Sequence, residues 1–142
     1  MAVTIRETKI EDYAPIETLL EQAHLKDSYF DEVSFRRMLE RNKGFCYVAE
    51  LEGQVVGTLF GTHDGAFRGY IQKVAVNPDY RQHGIGSDLV RRTIEAFNEF
   101  PIPLIFAHIE RTNIPSILLF RSLGFEIRDS HLLTDIGYKK RE

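Results

Sequence analysis

A short apolar strand, one proline, a polar loop and a helix that begins on two glycines occupy residues 70–99, and this order constrains the chain more than any other segment. Residues 70–76 (YIQKVAV) carry two valines and read as a largely buried strand. Pro78 has no N–H to give a ladder, so the strand stops near Asn77. A polar loop over 79–83 follows, and Gly84-Ile85-Gly86-Ser87 opens a helix. Ile85, Leu89, Val90, Ile94 and Phe97 recur on one stripe of that helix, with Asp88, Arg91, Arg92, Glu95 and Glu99 opposite.

Such a unit is built to hold an anion. The first N–H groups of a helix have no intrahelical partner, and the macrodipole adds partial positive charge there. Gly84 and Gly86 lack the Cβ atoms that would hold a phosphate away from those N–H groups, and Arg81 adds a cation at the mouth. Two glycines alone would also serve a bare turn; the strand–loop–glycine–helix context favours phosphate. A nucleotide P-loop requires Lys and then Ser/Thr after its last glycine, where this chain has Ser87-Asp88. A dinucleotide fingerprint requires a third small residue where Leu89 stands.

Arg81-Gln82-His83-Gly84-Ile85-Gly86 resembles the Q/R-x-x-G-x-G/A signature of the GNAT superfamily of N-acetyltransferases, and Val74-Ala75-Val76-x-Pro78-x-Tyr80-Arg81 resembles the strand that precedes it. The resemblance runs across most of the chain. It implies an α/β fold of GNAT type: a mixed sheet of about seven strands, four helices on both faces, and two central parallel strands that splay apart. It also implies acetyl-CoA as cosubstrate and no metal. The diphosphate would sit on the backbone of Gln82, His83, Gly84, Ile85, Gly86 and Ser87 with Arg81 assisting, and the acetyl thioester beside Val74, Ala75 and Val76. An N–H there would stabilise the oxyanion of the tetrahedral intermediate.

Asn113-Ile114-Pro115-Ser116 through Gly124-Phe125 is similar to the superfamily's second signature, N-x-x-A/S-x-x-x-Y-x-x-x-G-F. On that resemblance Asn113, Ser116, Phe120 and Arg121 line the cofactor arm. The tyrosine that in relatives can protonate the departing thiolate is here Phe120. Read without the resemblance, the segment is a capped amphipathic helix. Many relatives carry a carboxylate on the strand before the loop, where this chain has Gln72 and Lys73; others carry a glutamate five residues before the Asn, where it has His108. His108, with Glu110 two residues further along the same face, is therefore the candidate general base, and a partly buried structural histidine is the alternative. Asn-x-Pro-Ser and Gly-Ile-Gly-Ser also look like polyamine acetyltransferases, but Lys73 stands where such a site would need an acid.

The remaining chain is consistent with a single domain over 1–142. Val3 to Arg6 reads as a first strand, 11–23 and 34–42 as helices, the latter capped by Asp31 or Ser34, with an irregular connection over 24–34. Strands over 45–51 and 54–63 flank a Glu52-Gly53 hairpin turn, and Asp64-Gly65 turns into 70–76. A right-handed crossover leads to a strand over 104–109, then a helix over 114–123 that Gly124 ends. Strands over 125–128 and 131–138 close the order, the last offering an edge for a homodimer.

With 43% hydrophobic and 27% charged residues in 142, the chain has the composition of a globular protein, and a net charge of -3 argues against nucleic acid or an anionic membrane surface. No apolar run approaches the ~20 residues of a membrane span. The opening MAVTIRETKIEDY holds acids where a signal peptide is apolar, so a cytoplasmic location is expected. Cys46, the one cysteine, lies in an apolar run and reads as a small core residue. His63, His83 and His131 have no ligand-like spacing.

The function expected is acetyl transfer from acetyl-CoA to a small-molecule or peptide amine by direct attack on the thioester. The alternatives are a non-catalytic acyl-CoA-binding module, which Phe120 and the missing strand carboxylate favour, and an acyltransferase for longer chains.

Overall fold

The structure is a computed structural model and describes residues 2–109 and 112–127. Among them five strands and four α-helices follow one another: β1 Val3–Glu7, α1 Tyr13–Gln22, α2 Glu32–Arg41, β2 Tyr47–Leu51, β3 Gln54–His63, β4 Arg68–Val76, α3 Ile85–Glu99, β5 Leu104–Ala107 and α4 Ile114–Ser122. The sheet order is β1-β2-β3-β4-β5, antiparallel except for the parallel β4–β5 pair joined through α3. That is an α/β arrangement with a mixed sheet. Seven strands were expected; the described residues make five. The strand expected over 131–138 lies outside them.

Local chemistry explains most boundaries. Glu52 and Gly53 both take positive φ, 50° and 80°, as the two-residue hairpin turn between β2 and β3 requires. Asp64 Oδ1 accepts the N–H groups of Ala66, Phe67 and Arg68 at 2.9, 2.7 and 3.1 Å and so closes the next turn. Asp31 caps α2, accepting the Ser34 N–H at 2.7 Å. α1 begins two residues later than expected because Ile10–Asp12 forms a 3-10 turn held by the Asp12 carboxylate, which accepts the Lys9 N–H at 2.7 Å.

The strand expected over 125–128 is not formed by 125–127. The Phe125 N–H donates instead to Phe120 O at 3.1 Å and the Gly124 N–H to Arg121 O at 3.0 Å, while Gly124 takes φ 95°. These are the two bonds of a Schellman ending, and its apolar contact is the Phe120–Phe125 pair, centroids 5.0 Å apart.

Two apolar layers cover the sheet. On one face α3 and α4 bury Ile85, Leu89, Val90, Phe97 and Phe120 against Tyr47, Ala49, Leu59 and Ile71. On the other, α1 and α2 bury Ile16, Leu20 and Phe35 against Cys46, Val48, Phe60 and Ala75. Full burial of side chains such as Leu89 and Phe97 contributes about 2–3 kcal/mol each. α3 lies close because glycines face it: a Cβ on Gly69 would meet the Phe97 ring at 2.6 Å, and one on Gly57 would meet Ile85 Cγ2 at 3.1 Å. None of the described helices is long and apolar enough to cross a membrane.

β1 is tied to the start of α1 by one ion pair. The Arg6 guanidinium donates to both Asp12 oxygens at 2.9 Å and to Glu50 Oε1 at 3.1 Å. Burial pushes the Asp12 carboxyl up, but the Arg6 bonds and the Lys9 N–H outweigh it and hold it below its ordinary value. A depressed carboxyl stabilises the fold fully above the unfolded value of ~3.9 and ceases to as pH falls through the folded value. Asp12→Asn should lower stability by about 2 kcal/mol at neutral pH, and the variant's urea midpoint should fall less steeply below about pH 4 than that of the native chain.

Cys46 behaves as a core residue. Burial pushes its thiol up to about 12, and Sγ lies 3.4 Å from Gly61 O. Iodoacetamide at about pH 8 should leave the native chain unmodified and label it fully once unfolded, since the thiolate is the reactive form; mass spectrometry reads both.

Candidate functional site: the end of β4 and the start of α3

β4 departs from regular strand geometry where the sequence places two polar residues in succession. Thr58 pairs with Ala75 and Phe60 with Gln72, so Leu59 on β3 faces two residues, Lys73 and Val74. This is a β-bulge, and Lys73 takes φ 55° to make it. The bulge resets the alternation of the strand. Tyr70, Gln72 and Lys73 all project on the α1/α2 face, where Gln72 Nε2 donates to Thr62 Oγ1 at 3.3 Å and Lys73 Nζ to Leu25 O at 2.7 Å. Val74 and Val76 pack on the α3 side, and Ala75 is buried beneath α1.

On its other edge β4 pairs with β5 from Arg68↔Leu104 to Ile71↔Ala107. β5 ends there, two residues before the expected boundary at 109.

Beyond Val76 the chain is steered into the loop by short bonds. The Asn77 N–H donates to Val56 O at 2.8 Å, and the Asn77 side chain accepts the Asp79 N–H at 2.9 Å, capping a 3-10 turn over Pro78–Tyr80. Arg81 is exposed, and its Nε lies 3.4 Å from Val76 O, folded toward the end of the strand. Gln82 and Gly84 then take φ 66° and 77°. Positive φ at both positions lets the backbone coil around the helix start, forming a cradle of N–H groups. Gln82, His83 and Gly84 are exposed, whereas the Ile85 side chain is buried and anchors the first turn.

The first backbone bond from this turn is Asp88 N–H to Gly84 O at 3.0 Å, so the N–H groups of Ile85, Gly86 and Ser87 have no helical acceptor. A Cβ on Gly86 would lie 3.4 Å from Leu119 Cδ1, so α4 backs the cradle on one side. The donors, the dipole and the exposed backbone fit a diphosphate.

α4 presents the second motif. Asn113 caps it, its Oδ1 accepting the Ser116 N–H at 3.3 Å. Ser116 is half-buried and Arg121 exposed, while Phe120 is turned into the core with 5% of its surface accessible. His108 follows β5 and is exposed, its ring 6.1 Å from that of Tyr70. Tyr70 stacks on Phe106 at 6.0 Å, and the Arg68 guanidinium lies 6.0 Å over Phe106, so a row of rings and one cation runs along the β4–β5 surface. Glu110 lies outside the described residues.

Two features escaped the sequence reading: the Lys73 tether to the α1–α2 connection and the row of rings. The adjacent polar pair Gln72-Lys73 in an otherwise alternating strand was the signal for the first. Two cavities, of about 450 and 250 Å³, lie elsewhere. The larger is lined by Phe45, Arg92 and Phe100, at the far end of α3 from the cradle. No cluster of metal-ligating side chains occurs among the described residues.

Comparison with known proteins agrees with this geometry. Residues 8–125 match the family model of the acetyltransferase (GNAT) family. The chain is 32% identical over 130 residues to Acetyltransferase SG1711 of Sodalis glossinidius (strain morsitans), covering 91% of each. Among solved structures it is similar to a ribosomal-protein-alanine N-acetyltransferase from Brucella melitensis, with 30% identity, TM-score 0.72, and 87% and 84% of the two chains covered. It is also similar to yncA of Salmonella typhimurium, a structure with its cofactor acetyl-CoA, with 26% identity, TM-score 0.74, and 90% and 82% covered. With its mixed sheet, its glycine cradle at the start of α3 and these matches, the chain belongs to the GNAT family of acetyltransferases.

Proposed function

We propose that this protein transfers the acetyl group of acetyl-CoA to a primary amine, and that the acceptor is an α-amino group. The observation that carries the first part is the cradle: an exposed turn with two positive-φ residues, Gln82 and Gly84, leads at the end of β4 into a helix start where the N–H groups of Ile85, Gly86 and Ser87 have no helical acceptor. A diphosphate seated there lets the rest of the cofactor run along Val74–Val76, beyond the last β4–β5 register pair at Ile71↔Ala107. The amine would attack the thioester carbon directly: the C–N bond forms, the C–S bond breaks, coenzyme A leaves as thiolate, and the ammonium proton passes to a base or to water. A backbone N–H at the bulge would stabilise the oxyanion.

Acceptor choice follows from which bases are available. β4 offers Gln72 and Lys73 on the acceptor side, and no carboxylate. A lysine-like amine loses about 4.6 kcal/mol on deprotonation at pH 7, an α-amine only about 1. A site without a strong base is therefore suited to the α-amine, and the Brucella melitensis relative, a ribosomal-protein-alanine N-acetyltransferase, supports that class. His108, on the edge of the same face, is the proposed base.

A second reading is kept for one observation. Phe120 fills the place of the usual acid and is buried, which fits an acyl-CoA-binding module that does not turn over. Tight acetyl-CoA binding with no thiol release across a panel of amino-terminal peptides and small amines would select it.

Gly86→Asp tests the cradle. Aspartate suits the first turn of a helix, so stability should hold, while a carboxylate beside the diphosphate repels it by about 1–4 kcal/mol. Acetyl-CoA affinity measured by calorimetry should fall roughly tenfold or more; an unchanged affinity would place the diphosphate elsewhere. For His108→Gln, the acidic limb of the kcat/KM profile should disappear, and an unaltered pH profile would remove His108 as base.

A further inference from the structure

The geometry points to Lys73 as a positioning residue that locks the acceptor-side loop to the bulge of β4. This rests on the acetyl-transfer reading for its catalytic meaning, but not for its structural test. Lys73 Nζ donates to Leu25 O at 2.7 Å and to Asp27 Oδ2 at 2.8 Å, bridging segments 48 residues apart. The Lys73 side chain is 22% exposed and that of Asp27 58% exposed.

Both ends of this bridge are strained or shaped for it. A lysine at φ 55° holds a left-handed backbone state that strains a residue with a Cβ and not a glycine. The same backbone state throws its side chain onto the face that α1 and α2 cover. The acceptor carbonyl is equally specific. α1 ends in a Schellman arrangement, with His24 at φ 58°, its N–H donating to Glu21 O at 3.2 Å and the Leu25 N–H to Leu20 O at 2.9 Å. That ending turns Leu25 O toward β4 at the negative end of the α1 dipole, where a cation is favoured.

Lys73 therefore links two parts with different work. Its backbone forms the bulge beside which the thioester would lie, and its side chain fixes residues 25–27, the start of the connection between α1 and α2. Phe30 of that connection stacks on Tyr13 at 5.1 Å and on Phe60 at 6.2 Å, so its far end is held by packing and its near end by Lys73. A wall placed this way sets the distance between a bound amine and the thioester. Releasing it should affect amine binding before it affects cofactor binding.

The test is hydrogen–deuterium exchange on the full chain, with and without acetyl-CoA. In Lys73→Met, exchange at residues 24–30 should rise about tenfold while α3 is unchanged, since a charge-assisted bond is lost. Asp27→Asn, at an exposed position that cannot compromise folding, should give a smaller rise in the same segment, and Lys73→Arg should restore protection. On the best amine of a peptide and small-amine panel, Lys73→Met should raise the amine KM severalfold with acetyl-CoA affinity within about threefold of native. Unchanged exchange at 24–30 in Lys73→Met and Asp27→Asn, or a loss confined to acetyl-CoA affinity, would overturn the proposal. If the native chain binds no acetyl-CoA, the acetyl-transfer reading fails, while the exchange data still decide whether Lys73 holds the loop.

Discussion

The closeness of α3 to the sheet is the constraint from which the site follows. Gly69 leaves room for the Phe97 ring, which a Cβ there would meet at 2.6 Å, and Gly57 lets Ile85 sit so close that a Cβ would lie 3.1 Å from it. Because Ile85 is the first residue of α3 and Gly57 lies opposite Val76, this seating brings the helix start to the C-terminal end of β4. The cradle of N–H groups is thus placed by packing at its back as well as by the short bonds that steer the loop after Val76. Changing the fit of Ile85 over Gly57 would move the helix start relative to β4 without altering the loop itself.

β4 then divides its two faces between two partners. Regular alternation would give each face every second side chain. The bulge at Lys73 breaks this, keeping Gln72 and Lys73 together on the α1/α2 face and returning Val74 and Val76 to the α3 side. One strand so presents apolar side chains on one side and, on the other, polar ones that anchor the α1–α2 connection. The strain of a positive φ at a non-glycine residue is of the order of 1–3 kcal/mol, and such positions persist where the surroundings over-determine them. Here the surroundings are the β3 ladder on one edge and the bonds from Nζ to the α1–α2 connection.

How much of this the sequence reveals depends on whether the cause is local. The stripe Ile85, Leu89, Val90 and Phe97 reports α3 because burial and helical period coincide; Thr93 and Ala96, also buried, were missed because neither looks strongly apolar. Gly124 marks the end of α4, but Phe125 reads as the start of a strand, since nothing nearby in sequence shows that its N–H is already used by Phe120 O. Arg92 reads as solvent-facing on the helical wheel, whereas its guanidinium lies 4.8 Å over the Tyr47 ring. The motifs around Gly84 and Asn113 are legible because they are contiguous. Lys73 to Asp27 is not, because no pattern in either segment records the other.

Phe120 shows how a structural demand can settle a chemical one. The position that in relatives carries a tyrosine here forms the apolar contact of the helix ending, edge-on to Phe125 and 5% exposed. A phenol at that depth would need a partner for its hydroxyl, and an unmet one costs about 1–3 kcal/mol. Phenylalanine avoids that penalty but, in the proposed reaction, would leave the departing sulfur without an acid from this position. If the thiol of coenzyme A resembles cysteine, with a value of ~8.5, leaving as thiolate at pH 7 costs only about 2 kcal/mol. That is comparable with the penalty avoided. A chain that accepts α-amines, whose own deprotonation is cheap, can therefore keep the core residue and let solvent reprotonate the thiolate.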